Sequence, residues 1–473
     1  MGRVPSTRWL VASLGAVGLA GTLLAQTIFA APSRTPTPVP AVSVAHAQAA
    51  VSSPAYPLKI SANGHYLVDQ NNVPFMIVGD SPQAMFANLS TDDAELFIAN
   101  RQRYGYNTLW VNLLCNDKTG CKPDGTTYDN VPPFNSPGDL STPNEAYFSR
   151  ADRMVNIAAK YGMVVLLDPI ETSGWLGMVK SNGLDKAYAF GRYLGQRYSS
   201  FPNIVWMSGN DFQSWRDPND DAAALAIAKG IKDADPNHIQ TIELDYFVSA
   251  SLDDANWAPI IGLDAVYTYK PTYAKILSEY NRAAGVPLFM VESTYEWEGE
   301  YTGNQTLRRI EYWSMLSGAA GQMYGNKYTW PFAADWKNHL DTNGSAQMSN
   351  LVNLFGARRW YDLVPDQDHS FLTDGYGTFS DSAKINESDY ATAARTSDGA
   401  LAMIYAPTSR TLTVDLSKMA GPVQARWYDP ASGAFSAVGG SPLPNTGPQK
   451  FQMPGKNADG DPDFVLVLEA SAS

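Results

Sequence analysis

The chain has 473 residues and carries 34 Lys plus Arg against 47 Asp plus Glu, a formal charge of −13. That acidity argues against nucleic acid and anionic membrane surfaces as partners, because both reward clustered positive charge. With 44% hydrophobic and only 17% charged residues the composition is globular and excludes wholesale disorder. Two Cys and five His, none at metal-ligand spacings, point to no metal and no cofactor, and the length predicts two or three domains.

In chain order, Arg3 and Arg8 precede an apolar run from Trp9 to about Ala31, the pattern of an export signal. The run can span a bilayer, so an uncleaved anchor stands beside the preferred reading of cleavage after Ala31 or after Ala47. The prolines between Pro32 and Pro40 make the next segment an extended spacer. A secreted or cell-surface protein is expected, touching membrane only if the anchor stays, and acting as a monomer. Export permits a Cys115–Cys121 disulfide, with two unpaired thiols as the alternative.

From about Leu58 to Pro365, short apolar runs alternate with amphipathic stretches. The predicted strands are Phe75–Gly79, Thr108–Leu114, Val164–Pro169, Ile204–Ser208, Ile239–Leu244, Ala265–Tyr269, Leu288–Val291 and Gly321–Gly325. Predicted helices between them include Thr91–Tyr104, Tyr147–Tyr161, Leu184–Tyr198, Ala222–Ala234, Tyr273–Ala284 and Leu307–Ser317. Eight strand–helix units match a (β/α)8 TIM barrel, and no G-x-G-x-x-G follows the first strand to favour an open dinucleotide-binding sheet. After Pro365 only strand-like runs recur between turns, the pattern of a small all-β sandwich. The expected division is 1–47 for export and spacing, 48–365 for the barrel and 366–473 for the sandwich.

A barrel of this kind builds its active site at the C-terminal ends of its strands. The polar residues there are Asp80, Asn112, Asp168 with Glu171, Asn210 with Asp211, Glu243 with Asp245, Tyr267 and Tyr269, Glu292, and Asn326. Carboxylates and amides interleaved with aromatics point to sugar chemistry, and glycoside hydrolysis needs two carboxyl groups flanking the scissile bond. Strands four and seven face each other across an eight-stranded barrel, which makes Asp211 and Glu292 the candidate catalytic pair. The bland alternatives are a helix N-cap for Asp211 and a buried structural carboxylate for Glu292. Asp80, Asn112, Asp168, Asn210 and Asn326 are candidate hydroxyl ligands. Tyr267, Tyr269, Tyr295, Trp297 and Trp330 are candidate stacking walls, whereas Trp175 and Tyr324 read better as packing. In the tail, Asp459, Asp461 and Asp463 alternate as in a calcium loop but lack a distal Glu, so an acidic turn is the preferred reading.

Ser208-Gly-Asn-Asp211 and Val291-Glu292 resemble the Asn-acid and lone-Glu signatures of the large retaining glycosidase clan. More closely, Phe75-Met-Ile-Val-Gly-Asp-Ser-Pro82, Asn107-Thr-Leu-Trp-Val-Asn112 and Leu167-Asp-Pro169 are similar to the apiosidase-like barrels of glycoside hydrolase family 140. The tail, with Ala425-Arg-Trp-Tyr-Asp-Pro430 and Asp463-Phe-Val-Leu-Val467, resembles the β-sandwich described as collagen-binding that follows such barrels. The resemblance implies a retaining exo-glycosidase with Asp211 as acid/base and Glu292 as nucleophile, releasing a terminal sugar such as apiose from a plant cell-wall polysaccharide or glycoside. One departure stands out: the first-strand motif ends Gly79-Asp-Ser-Pro-Gln83 where the family more often has Gly-Asp-Thr-Ala-Trp. The alternatives are an endo-acting glycanase on the same barrel and a non-catalytic glycan- or collagen-binding protein. The sandwich is expected to buttress the barrel rather than grip collagen.

Overall fold

The computed structural model describes residues 53–471 apart from 246, 283 and 284. The export segment and spacer expected over 1–47 lie outside the described residues. The barrel strands are β1 (Ile77–Asp80), β2 (Thr108–Asn112), β3 (Val164–Asp168), β4 (Ile204–Phe212), β5 (Gln240–Leu244), β6 (Asp264–Thr268), β7 (Leu288–Glu292) and β8 (Gly321–Tyr324). Each predicted run overlaps one of them. All are buried almost throughout, because one face fills the barrel and the other meets the helix layer.

The strands lie in the order β5-β4-β3-β2-β1-β8-β7-β6 with parallel pairing, and a short strand, Val248–Ala250, runs antiparallel beside β6. The seam between β5 and β6 is closed by a side chain. The buried Ser251 hydroxyl donates to the Ile242 carbonyl on β5 and accepts the Ala265 N–H of β6 at 2.9 Å. Inside the barrel Trp110, Leu166, Met207, Phe289 and Met323 form the core. Gly79 belongs to this packing, since a Cβ there would lie 2.0 Å from the Met323 sulfur. Leu109, Val111, Val165, Leu167 and Met290 face the helices instead, the period-two alternation of a strand.

The helices are α1 (Thr91–Arg103), α2 (Glu145–Lys160), α3 (Thr172–Asn182), α4 (Leu184–Tyr198), α5 (Pro218–Ala234), α6 (Thr272–Arg282), α7 (Asn304–Leu316) and α8 (Asn343–Gly356). α1 shows why such segments are legible: Ser90 caps it by accepting the Asp93 N–H, acids open it and Arg101 and Arg103 close it. α3 and α8 were not predicted. Gly174 and Gly177 interrupt α3, while Asn, Gly and Ser open α8 in place of a regular apolar stripe.

Beyond the barrel, β9 (Leu363–Pro365), β10 (Leu372–Asp374), β11 (Thr392–Thr396), β12 (Leu401–Ala406), β13 (Thr411–Asp415), β14 (Val423–Tyr428), β15 (Phe435–Ala437), β16 (Pro448–Gln452) and β17 (Phe464–Ala470) build two antiparallel sheets. Their orders are β9-β11-β12-β17-β14-β15 and β10-β13-β16. Ala402, Ile404, Leu466 and Leu468 pack between the sheets, whereas Met403, Tyr405, Val465 and Val467 from the same strands join the barrel's outer core. The larger sheet is therefore buried on both faces. α7 is its barrel-side partner, with Tyr312 stacked on Tyr405 at 5.2 Å and the Trp313 indole N–H donating to the Tyr390 carbonyl at 2.9 Å.

The acidic turn of the tail also faces α7. Arg308 is 1% exposed and donates to Asp463 at 2.8 Å, Asp459 at 2.9 Å and Asp461 at 2.8 Å. The alternating acids that raised the calcium question are thus occupied by a guanidinium, whose fork of donors matches several carboxylates at once. Cys115 and Cys121 are joined as a disulfide, with Cα atoms 5.8 Å apart, in the loop that leaves β2.

Candidate active site

The mouth is organised by an irregularity in β4. Ser208 pairs with Ile242 and Phe212 with Leu244, so Gly209, Asn210 and Asp211 all stand opposite Glu243. This is a bulge, a device that re-aims side chains at the rim of a sheet. Its backbone is left-handed throughout, with φ of 132° at Gly209, 69° at Asn210 and 50° at Asp211. Only glycine fits the first position, where a Cβ would stand 2.4 Å from the Glu243 carbonyl oxygen. Two consecutive non-glycine residues at positive φ are strained by roughly 1–3 kcal/mol each and persist only where their surroundings hold them. Asn210 gives its side-chain N–H to Gln83 at 3.2 Å, and Asp211 is solvent-accessible at the rim.

Glu292 closes β7 and is 9% exposed. Three phenols converge on it. Tyr267 donates to Oε1 at 2.9 Å, Tyr269 to the same oxygen at 3.0 Å and Tyr295 to Oε2 at 2.5 Å. The Tyr267 hydroxyl also stabilises the Asp211 carboxylate, so a single oxygen links the ends of β4 and β7. Burial first, and then the charge of Asp211, push Glu292 up to about 8 while the three phenols pull it back. Asp211 is raised as well, by crowding protein atoms and by Asp245, against the Tyr267 hydrogen bond. Asp211 keeps its access to water, which tempers that rise relative to the buried Glu292. Glu243 is held well above the carboxylate range by burial and by Glu292 and Asp211, and Asp168 by burial and Glu171.

Several buried polar atoms here find no partner among the described residues: both side-chain atoms of Asn112, Oδ2 of Asp168, Oδ1 of Asn210 and Oε1 of Glu243. Asn112 and Asp168 are paired neighbours across β2 and β3, and Asp168 lies close enough to Glu243 to raise it. Buried polar groups are ordinarily hydrogen-bonded, and leaving one unmade costs about 1–3 kcal/mol. Such a set at the strand ends fits a ligand rich in hydroxyls.

Other expected ligands point elsewhere. Asp80 makes a fully buried ion pair with Arg101 of α1, because β1 turns that side chain toward the helices while Gly79 faces the barrel interior. Asn326 is likewise spent on structure, donating to Glu296 at 3.0 Å and accepting the Tyr328 N–H at 2.9 Å. Glu171 caps α3 through Ser173 and Gly174. Trp330 gives its indole N–H to Glu298, and Trp297 is 39% exposed and meets Tyr328 and His339 edge-on, so the contacts of both lie outside the carboxyl cluster. Tyr267, Tyr269 and Tyr295 turn their hydroxyls to Glu292. Gln83 was missed as a participant. It bridges Asn210 and the Tyr295 hydroxyl, the latter at 3.5 Å, and the signal was the departure of its motif from the family pattern.

With this geometry in place, the family model described as "Apiosidase-like, catalytic domain" matches residues 61–362. The chain belongs to the apiosidase-like family. It is therefore a glycoside hydrolase, and the barrel is its catalytic domain. A second model, "Putative collagen-binding domain of a collagenase", matches residues 379–469, within the sandwich. Similar solved structures include one described as a glycoside hydrolase, 23% identical with a TM-score of 0.74, covering 89% of this chain and 98% of that one. Another is a glycoside hydrolase family 5 protein from Bacteroides vulgatus ATCC 8482, 22% identical with a TM-score of 0.75, covering 88% of this chain and 94% of that one. Both likenesses concern the fold. No curated protein matches the sequence.

Proposed function

We propose that this apiosidase-like hydrolase is a retaining exo-glycosidase in which Asp211 is the acid/base and Glu292 the nucleophile. The carrying observation is the Tyr267 hydroxyl, 2.9 Å from Glu292 and within reach of Asp211. A hydroxyl that bears on both carboxyl groups keeps them close, which supports direct attack at the anomeric carbon over attack by an interposed water.

In the first step Asp211 gives its proton to the glycosidic oxygen as Glu292 bonds to the anomeric carbon and the aglycone leaves. In the second, Asp211 takes a proton from water, whose oxygen attacks the same carbon and frees Glu292. Attack requires Glu292 ionised, and the phenol O–H groups on both its oxygens favour the charged form against the burial and the Asp211 charge that raise it. Interacting acids of this kind titrate as a unit.

Exo action is the mode that the apiosidase-like resemblance implies. Apiose is the glycone the family name supports, borne on a plant cell-wall polysaccharide or glycoside. Export through 1–47 completes the reading and is supported by the Cys115–Cys121 disulfide, since such bonds persist in oxidising compartments. The test is a screen of apiose-bearing and other aryl glycosides with wild type, Asp211→Ala and Glu292→Ala, following the first-formed anomer by NMR. Release of the monosaccharide with retained configuration, lost in Glu292→Ala, is expected. An inverted first product, oligosaccharide release, or wild-type turnover by Glu292→Ala overturns the corresponding part.

A further inference from the structure

We infer that Glu243 is the positioning residue of the acid/base, acting through the backbone of Asp211. The inference rests on the reading of Asp211 given above. The bulge removes the residues around Asp211 from the β4–β5 ladder, and the Asp211 N–H is taken up by a side chain, donating to Oε2 of Glu243 at 3.2 Å. From the other side Thr172 donates its hydroxyl to the carbonyls of Gly209 at 2.7 Å and Asn210 at 3.0 Å. The left-handed turn is therefore clamped between a hydroxyl above its carbonyls and a carboxylate at its N–H. Neither clamp belongs to a regular secondary structure, so neither survives replacement by an arbitrary polar residue.

Glu243 is suited to the task because it cannot drift. It is 1% exposed, and the Gly209 backbone lies against its own main chain. The groups facing it are Glu292 on β7, Asp211 on β4, Asp168 on β3, Tyr267 on β6 and Tyr295 after β7. Holding the N–H sets the direction of the Asp211 side chain, and with it the line from its proton to the glycosidic oxygen.

Two substitutions separate acceptor position from charge. Glu243→Gln keeps an acceptor oxygen at the same reach and drops the charge; Glu243→Asp keeps the charge and withdraws the acceptor by one methylene. Each is assayed by kcat/KM on an alkyl glycoside, whose leaving group needs the proton, and on a 2,4-dinitrophenyl glycoside, whose leaving group does not. Glu243→Asp is expected to lose about 100-fold on the alkyl glycoside and under about 5-fold on the dinitrophenyl one, with Glu243→Gln recovering the alkyl rate to within about 10-fold of wild type. In an Asp211→Ala background, Glu243→Asp should cost less than about 3-fold further, since it acts through a carboxyl already absent. Equal losses on both substrates, Glu243→Asp outperforming Glu243→Gln, or multiplying penalties in the double variant would each overturn the inference. If Asp211→Ala by itself shows no leaving-group dependence, the reading of Asp211 fails, which is a distinct result from a failure at Glu243.

Discussion

The hydroxyl of Tyr267 stands 2.9 Å from Oε1 of Glu292 and also stabilises Asp211, so one side chain on β6 ties together the ends of β4 and β7. The phenol orients the carboxylate that attacks, and it is most valuable when the developing charge distribution is fixed in advance. Tyr267→Phe is therefore expected to lower kcat by about 10–100-fold with KM nearly unchanged. Steady-state kinetics on an aryl glycoside check this, and a kcat within threefold of wild type would remove Tyr267 from the machinery.

The pH dependence follows from the same cluster. Glu292 lies at about 8 through burial and the Asp211 charge, and its neighbours share the proton it resists losing. Attack requires Glu292 ionised, so kcat/KM on a 2,4-dinitrophenyl glycoside, whose leaving group needs no proton, should rise as pH climbs toward about 8. Asp211→Asn removes the charge that raises Glu292 and should move this limb to lower pH. A limb unmoved by the substitution would show that the Asp211 charge does not act on Glu292.

Stability should respond too. A carboxyl raised in the folded state makes the folded protein hold a proton that the unfolded chain has already released, so its contribution to stability falls as pH rises from its ordinary value of 4.5 through about 8. Glu292→Gln cannot ionise. Its Tm relative to wild type is expected to climb steadily between about pH 4 and about pH 9, which differential scanning calorimetry would reveal. A pH-independent difference would mean that Glu292 is not destabilised as a charged group.

Arg308 supplies a prediction at the domain junction. Its guanidinium is buried against Asp463, with Asp459 and Asp461 completing the fork. Breaking a buried ion pair by removing one partner costs about 3–5 kcal/mol, because the other charge is left uncompensated. Arg308→Met should shift the urea midpoint accordingly at neutral pH. An unchanged midpoint would sink the idea that the sandwich is held to the barrel by this contact.

The disulfide closes a short loop, with six residues of sequence separation. In the chain-entropy account a loop of that size is worth about 2 kcal/mol, and Cys115→Ser with Cys121→Ser should lose about that much. Comparing unfolding midpoints with and without reductant tests it; a wild type indifferent to reductant would contradict the expected gain.

Much of the architecture was legible locally. Each of the predicted barrel strands corresponds to an observed one, because parallel strands buried on both faces read as unbroken apolar runs such as Val164–Asp168. Helices with polar caps, such as Thr91–Arg103, were equally clear, whereas the glycine-bearing Thr172–Asn182 hid its periodicity. At the mouth, proximity to a strand end drew in Asn210, Asp211, Tyr267, Tyr269 and Glu292, which the structure brings together, and also Asp80 and Asn326, which it engages elsewhere.

What the sequence determined by itself is therefore the order of elements, the acidic character of the strand ends and the change from barrel to sandwich. These depend on composition and spacing within windows of a few residues. Only the tertiary structure decided which acids share a space. Asp80 and Asp211 both end a strand, but one turns outward to Arg101 and the other is lifted by a left-handed bulge toward Tyr267. Likewise the aspartates of the tail could be read as a cation loop until Arg308, some 150 residues earlier, filled them. The physical reason is common to both cases: a carboxylate's role is set by the donor that reaches it, and that donor comes from a distant part of the chain whose approach is fixed only by packing.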